Sequence, residues 1–536
     1  MKILLVVPRY NFTNEINYNY TFPLGLSYIS AAIKQEKYDV DCLNLNHCNG
    51  TILKIITKIL NKKKYDFVCT GHTGIGYSVI KNIIDSVRLH KSSPRIVLGG
   101  PIISSEPEII FKSLKPDFGV IGEGEKTIIE LLKFFEVGKD LTEVEGIIFQ
   151  DENSNLITTK KREVIMDLDS LPYPDFDGLG FGEQIKNMST NDSYVHNMFD
   201  YPRIYPILCS RSCPFQCTFC YHSLGRKYRA RSIDNVISEI KTAIKKYKIN
   251  GISIYDDLFS VNKERLLEFC KKIKEVAKDL PGGFKWTCQL TVHNIDGEFL
   301  KTLKDAGCVI ISFGFESISP VVLKSMQKPI TPEQIDNAIK LTFETKMSLQ
   351  GNFIFGDTAE TKETANETLD YWKKNCKGQI GLDFVQPYPG SHIYYNCIKK
   401  GLIKDKMKFI ETIGERRWYN MTDKMTNEDM KELKKEILKA MVLYRKSVSY
   451  QSIKKIGKNK YAVKSKCPYC RKIIEYRNLH LNNPLYFSEF MICRNCNMRF
   501  GVSSSLNKFV RKFSPQIQSF MEYYVKMRKN FFKRRI

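Results

Sequence analysis

Residues 208–222 read LCSRSCPFQCTFCYH. Within this stretch Cys213, Cys217 and Cys220 follow the spacing C-x3-C-x2-C, which offers three thiolates to an iron–sulfur cluster and leaves the fourth iron without a protein ligand. Ferredoxin spacings supply four ligands and so make a closed electron carrier. Here one iron stays open, and an open iron is a place for chemistry. The competing reading is structural zinc, whose cysteine pairs sit a few residues apart and close the site with a fourth ligand, a part that Cys209 has the spacing to play.

The residues around the cysteines, Ser210-Arg211-Ser212 before Cys213, Pro214-Phe215 after it and Phe219 before Cys220, resemble the signature loop of the radical S-adenosylmethionine (radical SAM) enzymes. Cys209 falls where that loop carries Thr or another small residue, so it reads as a spectator. The resemblance implies a 4Fe-4S cluster whose open iron chelates the amino and carboxylate groups of S-adenosylmethionine. An electron from the cluster, drawn from a donor such as flavodoxin or ferredoxin, then cleaves it to methionine and a 5'-deoxyadenosyl radical.

Upstream, apolar runs at 2–8, 40–45, 67–70, 96–99 and 118–121 alternate with amphipathic stretches. That alternation is the pattern of a doubly wound parallel sheet, which binds ligands beyond the carboxyl ends of its strands. Glycines lie at those ends: Gly71 and Gly74 after Thr70, Gly99-Gly100-Pro101, and Gly122-Glu123-Gly124-Glu125. With Pro23-Leu24-Gly25 opening the first helix, the set resembles the cobalamin-binding domain that precedes the barrel in one branch of the radical SAM family. Thr70, Gly71, Gly74, Gly99, Gly100, Gly122 and Gly124 are its implied cofactor contacts. Cobalamin domains that ligate cobalt through histidine carry D-x-H-x-x-G after the first strand, whereas residues 8–18 contain no histidine. His47 with Gly50 imitates half of that motif after the wrong strand, and His72 sits in a glycine-bearing loop. Cobalamin held without histidine ligation is therefore expected.

Downstream of the cysteines, strand-like runs at 251–255, 284–292, 309–315, 349–355 and 380–386 alternate with amphipathic helices. Parallel strands with helical crossovers close into a full or partial (β/α) barrel whose site lies at the carboxyl ends of the strands. By resemblance, Asp256 and Asp257 face the amino group of S-adenosylmethionine, and Glu316 with Ser317 its ribose or carboxylate. Gly356 and Glu360 belong to the loop after the fifth strand, where Thr358-Ala359 replaces the family's Pro-Gly. Thr291 or Val292 stands where Arg is frequent. Carboxylates suit both an ammonium and a diol, and each also suits a helix N-cap. Tyr221 and His222 follow the last cluster cysteine, and Cys288 is expected to be a buried, inert thiol.

Cys467, Cys470, Cys493 and Cys496 form two C-x2-C knuckles 22 residues apart, the pattern of a four-thiolate zinc ribbon with a structural metal; rubredoxin-like iron is the alternative. The formal charge of +25 is concentrated from Lys431 onward, where Lys and Arg exceed Glu by 21. That basic, aromatic tail reads as a solvated helix with one packed face, a helix docking on the barrel, or a contact to an anionic surface or a nucleic acid. No apolar run reaches the ~20 residues of a transmembrane helix. Half the cysteines are grouped in ligand-like clusters, and the start MKILLVVPRY lacks a cleavable signal pattern, which together point to a reducing cytoplasm.

The fold class expected is thus α/β: residues 1–140 a Rossmann-like cobalamin-binding domain, 141–200 a connector, 201–400 a radical SAM barrel, 401–455 a helical extension, 456–505 a zinc ribbon and 506–536 a basic tail. The activity implied is methyl transfer to an unactivated carbon of a small molecule. Oxidative cyclisation or ring rearrangement, as in anaerobic porphyrin-ester cyclases, is the enzymatic alternative. A methylthiotransferase would carry a second three-cysteine cluster, and only Cys42, Cys48 and Cys69 precede residue 200. A cobalamin sensor binding nucleic acid would need no open iron.

Overall fold

Alternate residues of the first strand, Lys2–Val7, are buried on opposite faces: Ile3, Leu5 and Val7 in one core, Leu4 and Val6 in another. A strand buried on both sides belongs in the middle of a parallel sheet. In this computed structural model, which describes residues 1–508 apart from 11, 12, 139, 260, 279, 281, 294, 416 and 417, that is its place. The sheet runs Asp39–Asn44, Lys2–Val7, Phe67–Gly71, Arg95–Gly99 and Phe118–Val120 in parallel, then Ile147–Gln150 and Leu156–Thr158 antiparallel. Helices Leu24–Gln35 and Gly124–Val137 cover one face, and Ile52–Lys62, Tyr77–Arg88 and Pro107–Leu114 the other.

The second sheet is the expected barrel in its partial form. Its six strands, Ile204–Ile207, Gly251–Ile254, Lys285–Leu290, Cys308–Glu316, Ser348–Phe355 and Gly381–Phe384, lie in chain order and are all parallel. The crossover helices begin at side-chain caps that satisfy their first backbone N–H groups, among them Ser232, Asp296 and the capping boxes at Thr331 and Thr361. Cys288 packs beside Cys270 and Cys308 in the apolar shell rather than free in the lumen.

Two departures from the expected layout concern the later segments. Ile393, Tyr394, Cys397, Phe409, Ile410 and Met421 return to complete the second core of the first domain, with Lys406 paired to Glu106 at 3.2 Å. Helix Asn427–Tyr444 instead lies on the barrel helix Lys362–Asn375. The terminal unit starts earlier than residue 456, because Ser447–Ser449 and Ser452–Gly457 are strands of its two three-stranded sheets.

This unit covers the amino-terminal ends of the barrel strands. The Arg499 guanidinium donates to the Leu349 carbonyl, Gln379 exchanges hydrogen bonds with the Arg499 backbone, and the Asn497 amide donates to the Lys346 carbonyl. The connector is stitched to it as well, through Asn478 to Met188, Asn191 to His480 and Asn197 to Ile492. The basic tail lies, from residue 509 onward, outside the described residues.

Candidate active site

The cysteine loop begins on a short clip in which Ser210–Arg211 pairs antiparallel with Arg229–Ala230. Asp256, buried after the second barrel strand, accepts the Cys209 N–H at 2.7 Å and the Ser210 hydroxyl at 2.6 Å. Burial pushes its carboxyl up to about 7 against these hydrogen bonds. Further along, the Thr218 N–H donates to the Met326 carbonyl and the Thr218 carbonyl accepts from the Ile393 N–H. Both ends of the loop are thereby fixed. Burial raises the thiols of Cys213, Cys217 and Cys220; Asp257 raises the first and last further, and the Lys328 ammonium lowers all three.

The structure separates the acidic pair that the sequence offers together. Asp256 turns inward to the base of the cysteine loop, with one oxygen on the Cys209 N–H and the other on the Ser210 hydroxyl. Asp257 remains on the side of the cysteines and His222. The buried Nε2 of His222 has no hydrogen-bond partner, an orphan that a bound group would satisfy.

Glu316 ends the fourth strand with a left-handed φ of 63°, just past a register shift, and pairs with Lys328 at 3.0 Å. A strained non-glycine residue of this kind persists only where its surroundings hold it. Gly314 makes room for the pair, since a Cβ there would lie 2.5 Å from Glu316 Oε1 and 2.6 Å from Lys328 Nζ. The Ser317 hydroxyl bonds Thr368 at 3.1 Å and accepts the Ser319 N–H at 3.1 Å, which braces the turn after the fourth strand. Glu360 accepts the Gly356 N–H with one oxygen, while its other oxygen is buried without a partner. Burial pushes its carboxyl up to about 8.

Two further residues join this rim without having been marked in the sequence. Lys328 is one, an ordinary lysine in the fourth crossover, between helices Pro320–Ser325 and Pro332–Glu344. His293 is the other, occupying the end of the third strand where Thr291 or Val292 was considered. Its Nε2–H donates to the Pro329 carbonyl at 2.6 Å, so its Nδ1 accepts from the Thr291 hydroxyl, and its ring lies 5.8 Å from that of Phe215 in the cysteine loop. Tyr221 packs so closely on Gly390 that a Cβ there would come within 2.4 Å of its ring.

Across from the barrel, the carboxyl edge of the first sheet carries the glycines. Gly71 allows adjacent strands to close up, since a Cβ there would lie 2.7 Å from the Gly99 carbonyl, and Gly100, at φ 85°, would bring a Cβ within 3.0 Å of the His72 carbonyl. Gly74 and Gly122 face open space, the low rim a flat macrocycle needs, and Gly124 starts helix Gly124–Val137. The Thr70 hydroxyl, by contrast, donates to the Val6 carbonyl inside the sheet. His47 is held at both ring nitrogens, by Tyr20 at 2.9 Å and Glu183 at 3.2 Å, and His72 is held at Nδ1 by Thr73 at 3.0 Å beside the Tyr10 ring.

The loop after Gly122 joins the two halves. Glu123 receives Arg211 and Arg229 at 2.8 Å each and the Ile165 N–H at 2.6 Å, while Glu125 receives Arg211 at 2.6 Å. All four charged side chains are buried, so each depends on the others for compensation. Attraction to Arg211 holds the Glu123 carboxyl below its usual range against the cost of burial.

In the terminal unit the four cysteine sulfurs lie within 4.8 Å of one another, with Cys467–Cys496 at 3.7 Å and Cys470–Cys493 at 3.6 Å. A tetrahedral zinc with Zn–S bonds of ~2.3 Å has edges of ~3.8 Å, so the dimensions fit a closed four-thiolate ion.

Residues 207–371 match the Radical SAM superfamily, and residues 17–132 match the B12 binding domain. An uncharacterized methyltransferase of Pyrococcus horikoshii is 30% identical over 75% of this chain and 84% of its own length. The anaerobic magnesium-protoporphyrin IX monomethyl ester cyclase of Cereibacter sphaeroides is 30% identical over 69% of this chain and 59% of its own. Among solved structures, the radical S-adenosylmethionine methyltransferase TsrM from Kitasatospora setae, with cobalamin and a 4Fe-4S cluster bound, shares the fold. It aligns at a TM-score of 0.59 and 18% identity over 74% of this chain and 75% of that one.

Proposed function

The chain belongs to the cobalamin-binding branch of the Radical SAM superfamily, and on that footing we propose that it methylates an unactivated carbon of a small-molecule substrate. The observation that carries this reading is the buried charge cluster. It fastens Arg211, two residues before Cys213, to Glu123 and Glu125 at the glycine-lined edge of the first domain, so the two cofactor sites share one front. When bound, the iron–sulfur cluster supplies the electron that cleaves S-adenosylmethionine, and cobalamin supplies a carrier for methyl.

The protein's part is to bind, orient and exclude water. In this reading Cys213, Cys217 and Cys220 hold the cluster. Asp257 accepts from the ammonium of S-adenosylmethionine, Lys328 faces its carboxylate, and Glu316 accepts from the ribose hydroxyls. Gly356 gives backbone approach to the adenosine, with Glu360 fixing its N–H. Gly71, Gly74, Gly99, Gly100, Gly122 and Gly124 form the low edge under the corrin, with no histidine on cobalt. Zinc closes the four-cysteine ribbon, and a flavodoxin or ferredoxin delivers the electron.

No helix among the described residues is long and apolar enough to cross a membrane, and all sixteen cysteines are free thiols. A reducing cytoplasm suits that composition. The likeness to the ester cyclase favours oxidative cyclisation as the second reading. Anaerobic incubation of the reconstituted protein with S-adenosylmethionine, reductant and candidate substrates separates the two by mass spectrometry. Deoxyadenosine together with S-adenosylhomocysteine supports methyl transfer; deoxyadenosine alone, with an oxidised product, overturns it.

A further inference from the structure

A cavity of about 110 Å³ lies between the loop 18–22 of the first domain, the connector, and residues Ile204, Pro206, Ser253 and Tyr255 of the first two barrel strands. Ligand pockets usually hold 300 Å³ or more, so this space takes one end of a molecule and not the whole. Three polar side chains of its wall have an acceptor to offer, beside the hydroxyls of Tyr18, Ser193 and Ser253 and the amide of Asn19. Gln184 donates both amide hydrogens, to the Tyr18 and Tyr20 carbonyls at 3.2 and 2.7 Å, which fixes its orientation and leaves Oε1 buried without a partner. His196 uses Nδ1–H on the Ser189 carbonyl at 3.0 Å, so Nε2 is the ring's free acceptor, and burial keeps the imidazole neutral. Asp192 spends one oxygen on the Ser189 N–H at 2.6 Å and has the other to offer; burial raises its carboxyl to about 6, still ionised at neutral pH. The rings of Tyr20, Phe22 and Phe181 complete the wall, and no lysine or arginine lines it.

We propose that this cavity receives a protonated amine carried by the substrate. The assignment rests on the methyl-transfer reading, since it takes the lumen of the barrel as the substrate's place. An ammonium brings three N–H donors to a wall that offers acceptors and a carboxylate, and gains from neighbouring aromatic rings. A carboxylate or phosphate would instead be placed beside the Asp192 carboxylate, with no lysine or arginine in the lining to offset its charge.

The test uses full-length protein reconstituted with cluster and cobalamin, titrated calorimetrically with 2-phenylethylamine and with 3-phenylpropanoate, which share a skeleton and differ in the charge of the end group. The amine is expected to bind and the acid not to. Asp192→Asn and Gln184→Leu should each weaken the amine by about tenfold, the scale of one lost charge-assisted contact. Equal binding of the two probes, tighter binding of the acid, binding of neither at millimolar concentration, or amine affinity unchanged in both variants overturns the assignment. S-adenosylmethionine cleavage measured on the same wild-type preparation keeps the two levels apart. Intact cleavage without amine preference sinks the cavity assignment alone, and absent cleavage in a cluster-replete protein sinks the chemistry on which it rests.

Discussion

At Lys328 a half-buried ammonium pairs with Glu316 within electrostatic reach of the cluster cysteines, whose charges together raise its pKa against the cost of burial. Replacing it with Met should raise the KM for S-adenosylmethionine about ten- to a hundredfold, the range of one or two charge-assisted hydrogen bonds, while iron content stays at the wild-type level. Cys213→Ala should lose both the cluster absorbance and S-adenosylmethionine cleavage, and Cys209→Ala should retain both, because Cys209 is fully buried beneath Asp256. A different signature belongs to Glu360. Its carboxyl is near 4.5 when unfolded and about 8 in the fold, so between those values the folded chain binds a proton that the unfolded chain has released. Stability therefore falls as pH rises through that window and levels above it. Glu360→Gln, which does not titrate, should flatten the pH dependence of the denaturation midpoint. The cysteine spacing was legible in the sequence because its ligands are neighbours in the chain. Asp256 and Asp257 were not separable there, since adjacent residues of one type differ only in which side of the strand end they face. Lys328 carried no signal, being one lysine among many until Glu316 meets it.

The strands and crossover helices were legible to within a residue or two, because apolar runs and capping residues are local. What stayed hidden is how elements dock. The terminal ribbon reaches the barrel and connector through single polar side chains, Gln379, Asn197, Asn478 and Arg499, which no periodicity marks. Because these contacts lie at the amino-terminal ends of the strands, the ribbon stabilises the barrel from the face opposite the chemistry. Purified protein should contain one zinc per chain by elemental analysis. Stripping it with a chelator should lower the thermal midpoint of the whole protein by several degrees, and cobalamin content should not change. Iron in place of zinc would show as a visible thiolate charge-transfer band.

At the scale of the molecule, the four buried charges of Glu123, Glu125, Arg211 and Arg229 compensate one another between the two cofactor domains. Glu123→Gln leaves two guanidiniums facing one carboxylate and should cost roughly 3–5 kcal/mol in the denaturant-unfolding free energy. Arg211→Met combined with Glu125→Gln should cost less than the sum of the two single changes, the mark of direct coupling. The sequence presented Gly122-Glu123-Gly124-Glu125 as a ligand loop; its acids turn out to serve the neighbouring domain, a relation between residues nearly ninety positions apart. The return of residues 393–421 to the core of the first domain bears on how the chain is made as well as how it works. A ribosome delivers that domain's five parallel strands early, yet the apolar patch that Tyr394, Phe409 and Ile410 will cover stays bare until the whole barrel has been synthesised. At usual elongation rates the wait is on the order of tens of seconds. During that time the nascent chain presents an uncovered hydrophobic face, so a chaperone has both reason and opportunity to hold it there.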